Sequence, residues 1–190
     1  MVTAIVGGEC PPILDSTISR GPTLTTRIAV VIGNPSPNSR TRRVAEDLAA
    51  KIAEITGSEI DETIELAEVT DEIFEWKSDR LDKLTERLAT ADFAVIATPT
   101  YKASYTGLLK AFLDRYDAGG LHGLTAIPVF TIGSPAHTLA VETTLRPLLV
   151  ELGASVPTKG LAFPTSKFDD RASVLDEWVD SQKVYLPQAS

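Results

Sequence analysis

Cysteine and histidine are scarce in this 190-residue sequence, which contains only Cys10, His122 and His137. One cysteine excludes an internal disulfide and a cysteine-cluster metal site, and two histidines argue against a histidine-based metal site. No apolar run approaches the length of about 20 residues that a membrane-spanning helix needs. The first residues lack the basic stretch and the long apolar run of a secretory signal. These absences predict a cytoplasmic protein with no metal and no membrane span.

Basic residues are also few, since 18 Lys and Arg stand against 26 Asp and Glu and give a formal net charge of −8. Without a basic stripe to offset phosphate repulsion, we expect no nucleic-acid partner. The sequence lacks G-x-G-x-x-G and G-x-x-x-x-G-K-[ST], which disfavours a dinucleotide Rossmann site and a nucleoside triphosphatase. It also lacks G-x-S-x-G, so we discount a Ser-His-Asp triad drawn from Ser134, His137 and Asp117.

The apolar residues, 43% of the sequence, recur with alternating strand and helix periods. Residues 1–25 follow neither period and are predicted to be an N-terminal extension of a single domain, residues 26–190. Strand patterns are predicted at 26–32, 60–66, 93–97, 126–132 and 155–163. Helix patterns are predicted at 39–56, 79–89, 107–115, 137–152 (interrupted near Pro147) and 169–185.

The first and third predicted strands are almost wholly apolar, as parallel strands buried on both faces are. Five alternations of strand and helix then predict a doubly wound α/β sandwich around a five-stranded parallel sheet. Ligands of such folds bind beyond the carboxyl ends of the strands. The loops at that edge are 33–39, 98–106 and 132–138, and each is rich in Gly, Pro, Ser, Thr or Asn.

In the first of these loops a strand turns directly into a helix. Unpaired N–H groups and the helix dipole make such a turn an anion site, and the anion it suits is a phosphate. The three loops together suit a mononucleotide whose flat ring lies between the second and third. The alternative is that these loops bind no ligand: the second is then an ordinary turn, and Ser134–Pro135 in the third is a common helix start. Side chains that add donors or charge to the first loop are Asn34, Ser36, Asn38, Ser39, Arg40 and Thr41.

Four stretches of sequence resemble one known family. They are G-N-P-S-P-N-S-R-T (33–41), A-T-P-T-Y-K-A-S-Y-T-G-L-L-K-A-F-L-D (97–114), G-S-P-A-H-T-L-A-V (133–141) and L-R-P-L-L (145–149). The sequence is similar to the NAD(P)H-dependent FMN reductases, above all to the reductase components of two-component monooxygenases that act on alkanesulfonates or EDTA. The likeness runs from about Thr26 to Phe163.

The resemblance implies a flavodoxin-like fold with strand order 2-1-3-4-5 and FMN at the edge described above. It implies that NADH or NADPH gives a hydride to the flavin, and that reduced flavin goes to a partner monooxygenase. No side chain is then required as a general acid or base, so we assign no catalytic residue. The resemblance further implies a homodimer or homotetramer.

The family's motifs also imply roles for individual residues. Its first loop, G-S-x-R-x-x-S-x-[ST], binds the FMN phosphate and matches Ser39 and Thr41, with Asn38 and Arg40 beside them. Its third loop lies against the flavin and matches Thr131, Gly133 and Ser134. Its second loop holds the isoalloxazine ring through backbone groups and matches Pro99, Thr100, Tyr101, Lys102 and Ala103.

The sequence departs from the family pattern in both the first and the third loop. Asn34 replaces the usual Ser and Ser36 the usual Arg, so one charge that faces the phosphate is missing. Ile132 replaces a glycine beside the flavin, where a β-branched residue tolerates positive φ badly. Two hypotheses follow for Ile132: its side chain crowds the ring and weakens FMN binding, or the loop shifts and the side chain packs into the core.

Several alternatives stay open on sequence alone. The protein is an FMN-bound quinone or azo reductase in one, and a flavodoxin-type electron carrier or a non-catalytic binding protein in another. For Tyr101, Tyr105 and Tyr116, in or just after the second loop, burial in a subunit interface competes with plain core packing.

Overall fold

A parallel sheet is the centre of the fold, which the computed structural model describes for residues 25–186. The expected N-terminal extension therefore lies outside the described residues, apart from Thr25. The strands run in the order β2-β1-β4-β5-β6, and β3 also pairs with β1. Their bounds are β1 (Arg27–Ile32), β2 (Glu59–Ile60), β3 (Ile64–Glu65), β4 (Phe93–Pro99), β5 (Thr125–Ile132) and β6 (Leu161–Pro164).

Helices cover both faces of this sheet, which confirms the doubly wound architecture. One face of β1, with Ile28 and Val30, packs in a cluster with α1 and α5; the other, with Ala29 and Val31, packs with α2, α3 and α4. No helix among residues 25–186 has the length and apolar character to cross a membrane. The α-helices are α1 (Arg40–Thr56), α2 (Asp79–Ala89), α3 (Gly107–Leu113), α4 (Arg146–Glu151) and α5 (Arg171–Gln182).

The edge next to β1 differs from the single strand predicted over 60–66. Ile28 pairs with Ile60, but Val31 pairs with Ile64. Residues 61–63 therefore lie opposite only two residues of β1, which is a β-bulge that divides the predicted strand into β2 and β3. Ile60 is 44% exposed whereas Ile64 is 1% exposed, because a one-residue shift exchanges the two faces of a strand.

The strand predicted over 155–163 is shorter than expected. Ser155 forms only an isolated bridge to Thr125, and regular pairing resumes at Leu161. This gap accommodates Pro128 in the middle of β5. Ala126 donates its backbone N–H to the Ser155 carbonyl at 2.8 Å. The backbone nitrogen of Pro128, two residues further along β5, faces the same side of the strand. It lies opposite the gap in pairing, so its missing N–H leaves no β6 carbonyl without a donor.

The helix predicted over 137–152 is divided into three parts. Pro135–His137 forms a 3₁₀ turn, Val141–Leu145 a π-helical segment, and α4 follows. Pro147 lies in the first turn of α4, where its missing N–H is tolerated. The predicted interruption near Pro147 is therefore present, and the π segment produces it.

Candidate functional site

The three predicted loops meet at the carboxyl edge of β1, β4 and β5, and hydrogen bonds join them. Thr106 donates its hydroxyl to the Gly33 carbonyl at 2.5 Å, which ties the second loop to the first. Thr100 donates its backbone N–H to the Thr131 carbonyl at 3.0 Å, which ties the second loop to the third. The hydroxyls of Thr41 and Thr131 lie 2.8 Å apart. The site is thus one connected unit.

The first loop leads into α1 through Ser39, the N-cap residue. The Ser39 hydroxyl accepts the backbone N–H of Arg42 at 3.2 Å, so its own proton remains available to an anion. No acceptor in the described part of the chain contacts the backbone N–H groups of Arg40 and Thr41. Together with the helix dipole, these donors form the anion site that the sequence predicts.

Asn34 and Thr41 hold the first loop in shape. The Asn34 amide donates to the Thr41 hydroxyl at 3.2 Å, and its carbonyl oxygen accepts the Ser36 backbone N–H at 2.9 Å. Thr41 is 2% exposed, and its hydroxyl is already engaged by Asn34 and Thr131. Its direct role is therefore to join the loops, and Ser39 is the more accessible hydroxyl of the matched pair.

Next to this loop lies a buried ion pair that the sequence interpretation missed. Arg42 donates to the carboxylate of Glu65 at 2.6 Å and to that of Glu46 at 2.8 Å. Hydrogen bonds to Glu46 and then Glu65 raise the pKa of Arg42 above its ordinary value. The Glu65 side chain is 1% exposed and also lies 3.4 Å from the Asn38 backbone N–H. Arg42 therefore fixes the loop while its charge is neutralised.

Arg40 is in a different environment from Arg42. Its guanidinium lies 5.4 Å from the centre of the Phe168 ring, within cation–π range. No carboxylate within residues 25–186 pairs with it. Of these two arginines, Arg40 is the one whose positive charge is left uncompensated at the anion site.

The second loop forms a tight hairpin turn. Tyr101 and Ser104 exchange backbone hydrogen bonds of 2.9 and 3.1 Å, and the two residues between them, Lys102 and Ala103, have φ of 51° and 61°. Within the described residues, the only other non-glycine with positive φ is Asn38, at 53° in the first loop. Backbone strain of this kind concentrates at binding sites, and here it falls entirely on predicted site residues.

The turn also leaves polar groups without partners in the described part of the chain. No acceptor among residues 25–186 contacts the backbone N–H groups of Lys102 and Ala103. The Thr100 hydroxyl, just before the turn, is buried without a hydrogen bond. Pro99 ends β4 and directs the chain into this turn. The loop thus presents donors to the same edge as the anion site.

In the third loop, only part of the predicted set faces that edge. Ile132 is 3% exposed and belongs to the core cluster on the α3 and α4 face, so only its backbone is left for a ligand. Space around Gly133 is open. Ser134 accepts the Ala136 backbone N–H at 3.3 Å and so caps its own 3₁₀ turn. For Ile132, these contacts correspond to the second hypothesis, packing into the core.

The three tyrosines also differ in their surroundings. Tyr116 packs edge-on against Phe112, and its hydroxyl donates to the Thr85 carbonyl at 2.9 Å. Burial raises the pKa of Tyr116 above the ordinary value for a phenol. Tyr105 is half-buried against the core, while Tyr101 is 52% exposed. Core packing therefore accounts for Tyr116 and largely for Tyr105, but not for Tyr101.

Some residues that shape the site were missed from sequence. Thr106 caps α3 by accepting the Leu109 backbone N–H at 3.1 Å, and Thr98 accepts the Thr106 backbone N–H at 3.2 Å. A threonine before a helix pattern indicates Thr106 as a cap. Nothing in the sequence indicates Glu65 or Phe168, because both act through contacts with residues distant in the chain. Among the described residues, no group of three or more His, Cys, Asp or Glu is arranged to hold a metal ion.

The sequence matches the model of one known family and several curated proteins. The model of a family described as NADPH-dependent FMN reductase matches residues 26–167. A FMN reductase (NADPH) of Escherichia coli K12 is 39% identical over 99 residues, which are 52% of this chain and 49% of that protein. The chain spans about half the length of the first curated relatives that it matches. In a second FMN reductase (NADPH), from Pseudomonas putida, the match covers 43% of the protein.

A longer match and a solved structure agree with that assignment. The NADH-dependent FMN reductase SfnF of Pseudomonas putida is 29% identical over 153 residues, which are 77% of this chain and 82% of that protein. The apo form of the NADH:FMN oxidoreductase EmoB superposes with a TM-score of 0.75 and 34% identity. That superposition covers 85% of this chain and 90% of the EmoB chain.

Proposed function

Because the chain belongs to the family of NADPH-dependent FMN reductases, we propose that it transfers a hydride from NADH or NADPH to FMN. The observation that carries the proposal is the connected edge built by the first, second and third loops, in a chain matched to the family from residue 26 to 167. FMN and a nicotinamide nucleotide are then its small-molecule substrates.

The first loop fits the FMN phosphate. The Ser39 hydroxyl and the N–H groups of Arg40 and Thr41 are donors, and the Arg40 guanidinium is a cation with which no carboxylate of residues 25–186 pairs. Phosphate oxygens are strong acceptors that bind well to such a combination. Asn34 and Thr41 keep the donors in place before the ligand arrives, which lowers the entropic cost of binding.

The second and third loops fit a flat, polar-edged ring. The free N–H groups of Lys102 and Ala103 and the unpaired Thr100 hydroxyl can bind its oxygen and nitrogen atoms. The open backbone at Gly133 allows close approach from the third loop. FMN, when bound, would supply the hydride-accepting chemistry, and the chain would supply position and exclusion of water.

We further propose that the reduced flavin is passed on to a flavin-dependent monooxygenase in the cytoplasm. The support is that the relatives SfnF and EmoB are named as an NADH-dependent FMN reductase and an NADH:FMN oxidoreductase, names in which FMN itself is the compound reduced. A quinone or azo compound as the final acceptor is the alternative, and it requires that FMN stays bound through the cycle.

An NAD(P)H oxidation assay tests the proposal. We expect steady oxidation of NADH or NADPH when free FMN is added, and little without it. Tight copurification of yellow flavin with turnover only after a quinone or azo dye is added would favour the alternative acceptor. If neither nicotinamide nucleotide is consumed under either condition, the proposed activity is wrong.

Removal of the Ser39 hydroxyl tests the phosphate site directly. We expect Ser39→Ala to weaken FMN binding by roughly 1.5 kcal/mol, about tenfold in Kd, through loss of a charge-assisted hydrogen bond. Riboflavin, which lacks the phosphate, should bind as before. Fluorescence quenching titrations with both flavins measure the difference.

The matched control is Ser78→Ala, which removes the same kind of cap from α2, where Ser78 accepts the Leu81 backbone N–H at 3.1 Å. Each variant loses about 1 kcal/mol of stability as a missing N-cap does, but only Ser39→Ala should separate FMN from riboflavin. Equal losses for the two flavins would count against a phosphate role for Ser39.

A further inference from the structure

Four basic residues, Arg40, Arg42, Arg43 and Lys167, belong to the start of α1 and to the turn after β6. Arg42 is paired with Glu46 and Glu65. Arg43 is exposed and contacts no partner in the described part of the chain. Lys167 lies 3.9 Å from Asp170, an exposed pair. Of these four residues, Arg40 is the first residue of α1, and its guanidinium contacts an aromatic ring instead of a carboxylate.

That contact is Phe168, which follows β6 and the 3₁₀ turn Thr165–Lys167 at the carboxyl edge of the sheet. Its half-buried ring has the Arg40 guanidinium 5.4 Å from its centre and that of Arg171 at 4.9 Å. Aromatic faces attract guanidinium groups and orient them without neutralising their charge.

Arg171 keeps the ring in place. It forms an ion pair of 2.7 Å with Asp47 on α1 and donates to the Phe168 carbonyl at 3.2 Å. The ring is therefore anchored between α5 and α1 before any ligand binds. The charge of Arg171 is compensated by Asp47, while no carboxylate in the part of the chain that the structure describes pairs with Arg40.

We propose that Phe168 is a positioning residue that holds the Arg40 guanidinium as the cation for the phosphate group of FMN. This inference rests on the proposed function, because it concerns the phosphate half of the same site. Phe168 lies one residue beyond the segment 26–167 that matches the family, whereas Arg40 lies within it. The contact between Phe168 and Arg40 favours binding of the phosphorylated flavin over binding of riboflavin.

Flavin titrations of five variants test the proposal, with dissociation constants for FMN and riboflavin as the readout. Phe168→Leu keeps an apolar side chain but removes the ring, and we expect FMN binding to weaken about two- to fivefold with riboflavin unchanged. Phe168→Tyr keeps the ring, so we expect its ratio of FMN to riboflavin dissociation constants to equal that of the unaltered protein. Arg40→Ala should weaken FMN about tenfold or more, as loss of a charge-assisted contact does.

The remaining variants separate positioning from general damage. Arg40→Ala combined with Phe168→Leu should be no weaker than Arg40→Ala alone, because the ring acts through the guanidinium. Arg43→Ala removes the same charge three residues along α1 and should leave the FMN to riboflavin ratio within about twofold, since the Arg43 side chain is exposed and forms no ion pair within residues 25–186.

Additive losses in the double variant, or equal losses of FMN and riboflavin in Phe168→Leu, would overturn the positioning role while leaving the reductase proposal intact. Failure of the unaltered protein to bind FMN at all would overturn both. A fully normal FMN to riboflavin ratio in Phe168→Leu would show that the ring has only a structural part.

Discussion

At the scale of single residues, the site is marked by conformations that its residue types do not favour. Lys102 and Ala103 hold positive φ without being glycine, and Asn38 does so in the loop opposite. Each costs on the order of 1 kcal/mol. The cost is tolerated because Tyr101 and Ser104 close the turn with two backbone hydrogen bonds, and the result is a rigid tip with free N–H donors.

The local sequence pattern marks Asn38 as a donor of the first loop, but only the family resemblance assigns Lys102 and Ala103 to the isoalloxazine ring. Nothing in the composition of T-Y-K-A-S indicates positive φ, since lysine and alanine both prefer helical or extended backbone. By contrast, the phosphate loop follows from local pattern alone, because a strand that runs into a polar, helix-capping turn has few other structures open to it. The family and the fold are confirmed, and the ligand contacts of individual residues stay predictions.

Ile132 gives a test at this scale. Its side chain is 3% exposed in the core cluster that includes Phe130 and Val141. We expect Ile132→Ala to lower the free energy of unfolding by about 2–4 kcal/mol, as truncation of a buried isoleucine does. FMN affinity of the folded variant should be unchanged. Urea denaturation and FMN titration measure the two quantities.

The comparison for this variant is Ile96→Ala, a fully buried residue of β4 in the same cluster. Both variants should lose stability to a similar extent. If Ile132→Ala instead binds FMN several-fold more tightly than the unaltered protein, the side chain crowds the flavin and the core-packing account is wrong.

At the scale of elements, existence and type are predicted better than bounds. All five predicted strand positions carry strand or bridge pairing. The bulge at residues 61–63 could not be predicted, because it exists only in the register of Ile28 with Ile60 and of Val31 with Ile64. Long-range pairing, and not the local period, decides which isoleucine is buried.

The π segment shows the same dependence on distant contacts. Thr143 and Thr144 donate their hydroxyls to the carbonyls of Leu139 and Ala140 at 3.0 and 2.6 Å, four residues earlier in the chain. Glu142 accepts the Gly160 backbone N–H at 2.6 Å. The segment therefore anchors the connection between β5 and β6.

This anchoring requires glycine at position 160, because a side chain there would clash with Val141. A Cβ atom at Gly160 would lie 2.6 Å from Val141 Cγ2 and 3.2 Å from Glu142 Oε1. Arg146 completes the contact by donating to the carbonyls of Val156 and Thr158, both at 2.6 Å, while it pairs with Glu142. The Glu142–Arg146 ion pair thus binds the segment 156–160 at three backbone groups, and Gln182 of α5 binds it at a fourth, the Lys159 N–H.

A pH experiment tests this ion pair. The hydrogen bond from Arg146, and then the Gly160 N–H, hold the pKa of Glu142 below its ordinary value. A depressed carboxyl pKa stabilises the fold above the unfolded-state value, near 4.3, and the contribution disappears as pH falls through the lower folded-state value. We expect Glu142→Gln to cost about 1–2 kcal/mol at pH 7 and progressively less below about pH 4.

The control is Glu151→Gln on α4, an exposed carboxylate without a partner in the described chain. Its unfolding free energy should follow that of the unaltered protein at every pH. A constant difference between Glu142→Gln and the unaltered protein from pH 7 down to pH 3 would show that the glutamate charge contributes nothing, and that shape alone matters at this position.

At the scale of the whole molecule, the formal net charge of −8 gives an overall electrostatic field that repels anions. The uncompensated Arg40 at the anion site is then a local exception in an acidic chain. Local positive charge attracts an anionic ligand where the overall field repels it, so raised ionic strength should weaken FMN more than riboflavin.

Assembly is the prediction that belongs to this scale. The family resemblance implies a homodimer or homotetramer, and Tyr101 is the one tyrosine of the second loop that this chain leaves mostly exposed, at 52%. Exposed aromatic residues on rigid turns are common contacts between subunits. We expect light scattering at micromolar concentration to give two or four times the 20.4 kDa chain mass.

Tyr101→Ser should weaken assembly about tenfold, as loss of an aromatic contact does. The control is Tyr185→Ser, at a residue that is 55% exposed near the end of the described chain, and it should not weaken assembly. A monomer for the unaltered protein would refute the prediction, and equal effects of the two tyrosine variants would place the interface elsewhere.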